Sequence, residues 1–299
     1  YSEDVANASC QGMMARLTFL ATRAGEAASF IAPEIQAIPK DTMRKWLAGP
    51  ELAPHRFNLE KLLRFRPHIL SGKEERLLAM QGEVAGTASR VFDQLSDADM
   101  KFGEVKDETG RSVELTQGSF RTLLESPKRA VRKEAFDKFY KVHEEHGNTL
   151  AAALGGSVLQ DVYHARARNF PSALDAALFG DKVPAAVYDS LIGAVRDELP
   201  TLHKYLDIRR RALNLKTLHV YDNYAPIVRA PKTAIPYDDA VGTICEALAP
   251  LGDDYVKTLR RGLTAARWVD KYENRGKHSG AYSSGCYDSP PYILMNYKE

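Results

Sequence analysis

Over most of the chain from residue 5 to about residue 270, apolar residues recur at intervals of three and four; the closing run KHSGAYSSGCYDSPPYILMNYKE, residues 277–299, abandons that pattern. A period of 3.6 commits a chain to helices, because only there do residues three and four apart share a face. The fold class is therefore mainly α. Two short stretches break the rule. KFGEV, KDETG and SVELT, within residues 101–116, alternate around a glycine turn and predict a small β-hairpin. Near the carboxyl end, Ser279–Ser284 and Tyr292–Tyr297 read as two strands joined by a Gly/Asp/Ser/Pro turn, which predicts a small sheet there.

Local signals divide the helical part. Residues 5–30 carry small and apolar side chains with few breakers before Pro33. Ser71-Gly72-Lys73-Glu74 is a capping box and predicts a helix running to about Phe92. Ser126-Pro127 predicts an N-cap with proline at the first helical position, followed by the stripe Val131, Ala135, Phe139 and Val142. Gly147-Asn148 is placed to interrupt that helix, with Leu150–Arg168 continuing as another. Pro184 opens a further span, kinked at Pro200, and Pro236–Leu248 with Gly252–Trp268 predict a helix pair.

The charge balance excludes some functions. Against 41 basic residues stand 39 acidic ones in 299, a net charge of +2. That counts against nucleic acid or a membrane surface as partner. No apolar run reaches membrane-spanning length. Cys10, Cys245 and Cys286 are far apart and form no C-x-x-C pair, so neither a thiolate zinc site nor a disulfide framework is indicated, and a reducing cytoplasm fits.

Four stretches could carry chemistry. His143-Glu144-Glu145-His146 approaches the zinc helix H-E-x-x-H, but its histidines are three apart instead of four, and no third ligand stands out. The plainer reading is two histidines closing a buried helix face. Arg209-Arg210-Arg211 with Lys216 could hold phosphate or nucleic acid; a solvated helix end is the plainer reading. Tyr221, Asp222 and Tyr224 could orient a substrate or simply edge the core. GAYSSG, residues 280–285, has small residues on both sides of Tyr282, so another backbone can come close. Such a strand at a sheet border can take an extended peptide by strand addition, or be a plain hairpin strand. No G-x-S-x-G, phosphate loop or dinucleotide glycine pattern occurs.

The run GKHSGAYSSGCYDSPPYILMNYKE closely resembles the segment just upstream of the zinc motif in the oligoendopeptidase F family of thimet-oligopeptidase-like metallopeptidases. DADMKFGEVKDETGRSVELTQGSF, LLESPKRAVRKEAFDKFY, LHVYDNYAPIV, EALAPLGDDYV and RWVDKYENRGK agree with that family in order and spacing, and ANASCQGMMARLTFLATRAGEAASFIAPEI does so more loosely. The resemblance implies an elongated helical body with a channel for short peptides and a small sheet near the metal. It divides the chain into part of an amino-terminal helical domain, 1–98, and the amino-terminal half of a metallopeptidase catalytic domain, 99–299. It implies Zn2+ in the intact enzyme, on an H-E-x-x-H helix expected to follow Glu299, with a further short stretch expected before Tyr1. No catalytic residue and no metal ligand is then assigned here, and none of the Zn2+ is expected on this chain alone. The substrate-contacting candidates implied are Gly280, Ala281, Tyr282 and Ser283, acting through main-chain groups. The partners implied are short peptides and the other half of the catalytic domain. A non-catalytic helical peptide-binding module is the alternative.

Overall fold

The computed structural model of the chain describes residues 2–228, 234–274 and 276–298. The expected continuations beyond Tyr1 and Glu299 lie outside the described residues. Helices dominate, with a two-stranded hairpin and a three-stranded sheet, as the periodicity predicts. The hairpin pairs β1 (Glu104–Lys106) with β2 (Ser112–Glu114), antiparallel, and Gly110 supplies the left-handed turn residue at φ 90°.

Several boundaries differ from expectation. The Ser71 capping box forms, with the Ser71 N–H donating to the Glu74 carboxylate at 2.9 Å. Its helix, Gly72–Met80, stops well short of Phe92 and is followed by separate turns at Gly82–Ala85 and Thr87–Asp93. Gly82 and Gly86 are poor helix formers and mark the breaks. Pro127 does not open the next helix. The Ser126 N–H still donates to Leu123 O at 3.2 Å, finishing the preceding turn, so the helix starts later, at Arg129–Glu145. The predicted break at Gly147 is present, and the following helix is Gly147–Ala167. At Pro200 the span divides into Ala185–Asp197 and Leu199–Ala212.

The chain forms two compact units from interleaved segments. One comprises Gly12–Phe92 and Asn148–Leu202. In it Arg168 grips Glu75 with two hydrogen bonds of 2.8 and 2.9 Å, and His68 stacks on Phe170 at 3.6 Å. The other comprises Tyr1–Gln11, Asp93–Gly147 and His203–Glu299. Its hairpin side is built on stacked rings: Phe139 lies 4.4 Å from Phe102 and 4.0 Å from Phe120. Val131, Ala135 and Phe139 are buried as their spacing predicts, and Val142 is half-buried.

The same unit carries the three-stranded sheet. The helices Tyr237–Ala247 and Asp253–Leu263 bury Tyr237, Val241, Cys245 and Leu263 together. Val269, Ile293, Met295 and Tyr297 pack onto that cluster. These four are partly buried, so each contributes a fraction of the about 1.5–3 kcal/mol that full burial of such a side chain gives. The second helix is shorter than the Gly252–Trp268 span expected. The chain reverses after Leu263, with the Ala266 N–H on Arg261 O at 2.8 Å and Arg267 at φ 55°. It then enters a strand the sequence did not signal, β3 (Val269–Asp270).

Candidate functional site

The sheet order is β3-β5-β4, where β4 is Tyr282–Ser284 and β5 is Tyr292–Leu294. The central strand runs parallel to β3 and antiparallel to β4, so β4 forms one border. The expected strands Ser279–Ser284 and Tyr292–Tyr297 are thus present but shorter. Residues 281–288 are all exposed, Tyr287 to 95%.

Which main-chain groups of β4 are open follows from the pairing. The Ile293 N–H donates to Trp268 O at 2.7 Å and the Met295 N–H to Asp270 O at 3.0 Å, so those two residues face β3. Successive residues of a strand turn their main-chain groups to opposite sides. Tyr292 and Leu294 therefore face β4, where they oppose Ser284 and Tyr282. Tyr282 and Ser284 spend their N–H and C=O on this ladder. Ser283, and Ala281 just before the strand, turn theirs away from it. Of the four expected contact residues, Ala281 and Ser283 thus have outward main-chain groups. Gly280 sits at φ 82°, and its carbonyl accepts from Asn296 Nδ2 at 2.8 Å.

The approach to β4 is tightly held. Lys277 has no exposed side-chain surface; its ammonium donates to Tyr272 O at 2.6 Å and Met295 O at 2.8 Å, and pairs with Asp270 Oδ1 at 2.9 Å. The His278 N–H donates to Ser2 O at 2.9 Å, and its ring meets Asp97 at 2.7 Å. Burial pushes the Asp97 carboxyl above its ordinary value; His278 opposes that shift and Asp93 adds to it. A cleft of ≈ 580 Å³ beside this segment is bordered by Asp97, Lys101, Glu104, Glu114, Glu273 and Lys277. Lys277, Asp97 and Asn296 carry no local sequence signal as site-building residues, since each acts across a fold-dependent approach.

The other candidate stretches are engaged in structure. His143 Nδ1 bonds Phe139 O at 2.9 Å and His146 Nδ1 bonds Val142 O at 2.8 Å, each within its own helix. Arg209 is buried and donates to Ala225 O at 2.6 Å, while Arg210 and Arg211 pair with Asp207. Asp222 is fully buried between Arg132, at 2.8 Å, and Arg129, at 3.0 Å. Tyr221 is buried beside it, and Tyr224 is exposed with Arg121 over its ring. Among the described residues, no group of three or more His, Cys, Asp or Glu side chains is arranged to hold a metal ion. No helix among them is long and apolar enough to cross a membrane.

Comparison with known proteins adds to this geometry. Residues 122–299 match the family model for peptidase family M3, and residues 34–102 match that for oligopeptidase F. The chain is 41% identical to oligopeptidase PepF of Bacillus subtilis, over 99% of its own length and 44% of that protein. It is 37% identical to the group B oligopeptidase PepB of Streptococcus agalactiae, over 99% and 49% of the two. The crystal structure of oligoendopeptidase-F from Enterococcus faecium superimposes with a TM-score of 0.72 at 33% identity, over 88% of this chain and 49% of that one. The chain thus spans about half the length of the relatives it matches.

Proposed function

We propose, from the premise that this chain belongs to peptidase family M3, that it is the peptide-positioning part of a zinc-dependent oligoendopeptidase acting on short peptides. The observation that carries this reading is the border of β4, which has no second strand partner among the described residues, with main-chain groups of Ala281 and Ser283 turned away from β5. An extended peptide laid there gains a ladder of main-chain hydrogen bonds, so recognition depends little on its side chains. Gly280, Ala281, Tyr282 and Ser283 are the contact residues of this proposal, with Ala281 and Ser283 making the hydrogen bonds. Holding the peptide in one direction brings its scissile carbonyl to a fixed place, which is a contribution of orientation.

The donor set among the described residues does not fit zinc, and no step through the metal is assigned to them. In this reading the metal and its general base come from polypeptide beyond these residues, and the other half of the catalytic domain is the partner. The division into 1–98 and 99–299 remains part of this proposal; residues 34–102 and 122–299 match two different family models. A cytoplasmic setting accords with three cysteines that form no disulfide.

The test uses a labelled, unstructured heptapeptide and variants with single N-methyl groups, titrated by fluorescence anisotropy. Methylating amides that meet Ala281 and Ser283 should weaken binding up to about tenfold each, the value of a lost hydrogen bond. Alternate positions should tolerate the methyl. No binding, or equal sensitivity at every position, would refute strand addition. A quenched-fluorescent peptide should be bound by this chain without turnover.

A further inference from the structure

We propose that Asn296 is a positioning residue for the β4 border: its carboxamide replaces two rungs of the ladder and fixes which main-chain groups ahead of Tyr282 face outward. This rests on the reading of β4 as a peptide-binding edge. Main-chain pairing between β5 and β4 ends at Leu294 opposite Tyr282. The residue just after β5, Met295, gives its N–H to the other side, on Asp270 O. Across from it the chain bends through Gly280 at φ 82°, a conformation that leaves the regular ladder. Asn296 fills the gap with its side chain. Nδ2 donates to Gly280 O at 2.8 Å and to His278 O at 3.0 Å. Both hydrogens of the amide are thereby used. The carbonyls of His278 and Gly280 are drawn to the same side as the ladder groups of Tyr282 and Ser284.

The donor is itself anchored. Lys277 holds the carbonyl of Met295, the residue before Asn296, at 2.8 Å from a fully buried ammonium. Asn296 Oδ1 is buried with no hydrogen-bond partner among the described residues. An unpartnered buried amide oxygen is unfavourable, and an apolar side chain would avoid it. What an apolar side chain cannot do is donate twice. An aspartate has the same shape and, when ionised, donates nothing while facing two carbonyl oxygens.

The variants are therefore N296D and N296A, compared with the unaltered chain from pH 7.5 to 4.5. Two readouts are followed: anisotropy of the labelled heptapeptide, and hydrogen exchange of the Tyr282 and Ser284 amides without peptide. At pH 7.5 both variants should bind about tenfold more weakly and lose about tenfold in amide protection, the scale of one net hydrogen bond or slightly more. As the pH falls, N296D should recover relative to N296A in both readouts, because a protonated carboxyl regains one donor. Retained binding and protection in both variants would overturn the proposal, as would an N296D response parallel to N296A at every pH. If protection follows the expected pattern while even the unaltered chain fails to bind peptide, Asn296 sets the strand and the peptide reading falls by itself. Far-UV circular dichroism at each pH restricts the comparison to folded protein.

Discussion

The indole of Trp268 lies so close over Gly262 that a Cβ at position 262 would overlap ring atoms Cδ2, Cε3 and Cζ3. Gly262 is buried in the Asp253–Leu263 helix. The Trp268 N–H returns to Gly262 O at 3.2 Å, and the Trp268 carbonyl receives the Ile293 N–H at 2.7 Å. One residue thus joins the end of a helix to the central strand, and the absence of a side chain at 262 makes the approach possible.

Gly262→Ala should therefore destabilise the protein by about 2–3 kcal/mol, the usual penalty for overpacking against a rigid group. Urea unfolding would measure it. Adding Trp268→Leu should recover part of the loss, giving a non-additive pair. Additive effects would mean that the ring moves aside without consequence.

Gly118→Ala offers the contrast. A Cβ there would meet the carboxylate of Glu273, the far end of a flexible side chain that accepts from Thr116 Oγ1 at 2.5 Å. Glu273 can swing away, and alanine favours the Gln117–Leu124 helix by up to about 1 kcal/mol over glycine. The net change in stability should stay within about 0.5 kcal/mol, since the two effects oppose each other.

Asp222→Ala should be among the most damaging changes. Arg132 is almost wholly buried with it, and removing the carboxylate leaves that guanidinium charge without its counter-ion. Breaking a buried pair in this way costs about 3–5 kcal/mol. A midpoint shift no larger than that of a surface alanine substitution would mean that buried Arg132 does not depend on Asp222 as its counter-ion.

Glu75 predicts an acid limb to stability. Burial works to raise its carboxyl, but hydrogen bonds from Arg168 and the Leu70 N–H outweigh that and hold it below the ordinary glutamate value. A carboxyl lowered on folding contributes stability that is complete above its unfolded value and drains as the pH falls through the folded one. Glu75→Gln should thus be less stable than the unaltered chain at pH 7. The gap should narrow steadily toward pH 3 in urea titrations.

Much of the fold was legible because its signals are local. The capping box at Ser71 and the glycine turn of the 101–116 hairpin need only neighbouring residues. β3 was not legible: two residues, Val269 and Asp270, are too few to show a period, and their strand exists only because β5 lies beside them. Ser126 misled because a hydroxyl before proline suits both a helix cap and the turn that precedes one. At the site, the glycines and serines of 280–285 marked an approachable strand, but the parity of its open groups depends on β3 pairing from the far side. Asn296 was hidden in the apolar run ILMNY, where a polar residue reads as an interruption.

Lys277 gives the sheet a chemical gauge. Its amine is sealed among three carbonyls and the Asp270 carboxylate, so acylating reagents and trypsin should reach it only when the surrounding strands part. The rate of modification at that lysine, set against an exposed one such as Lys73, then reports how often this corner of the molecule opens.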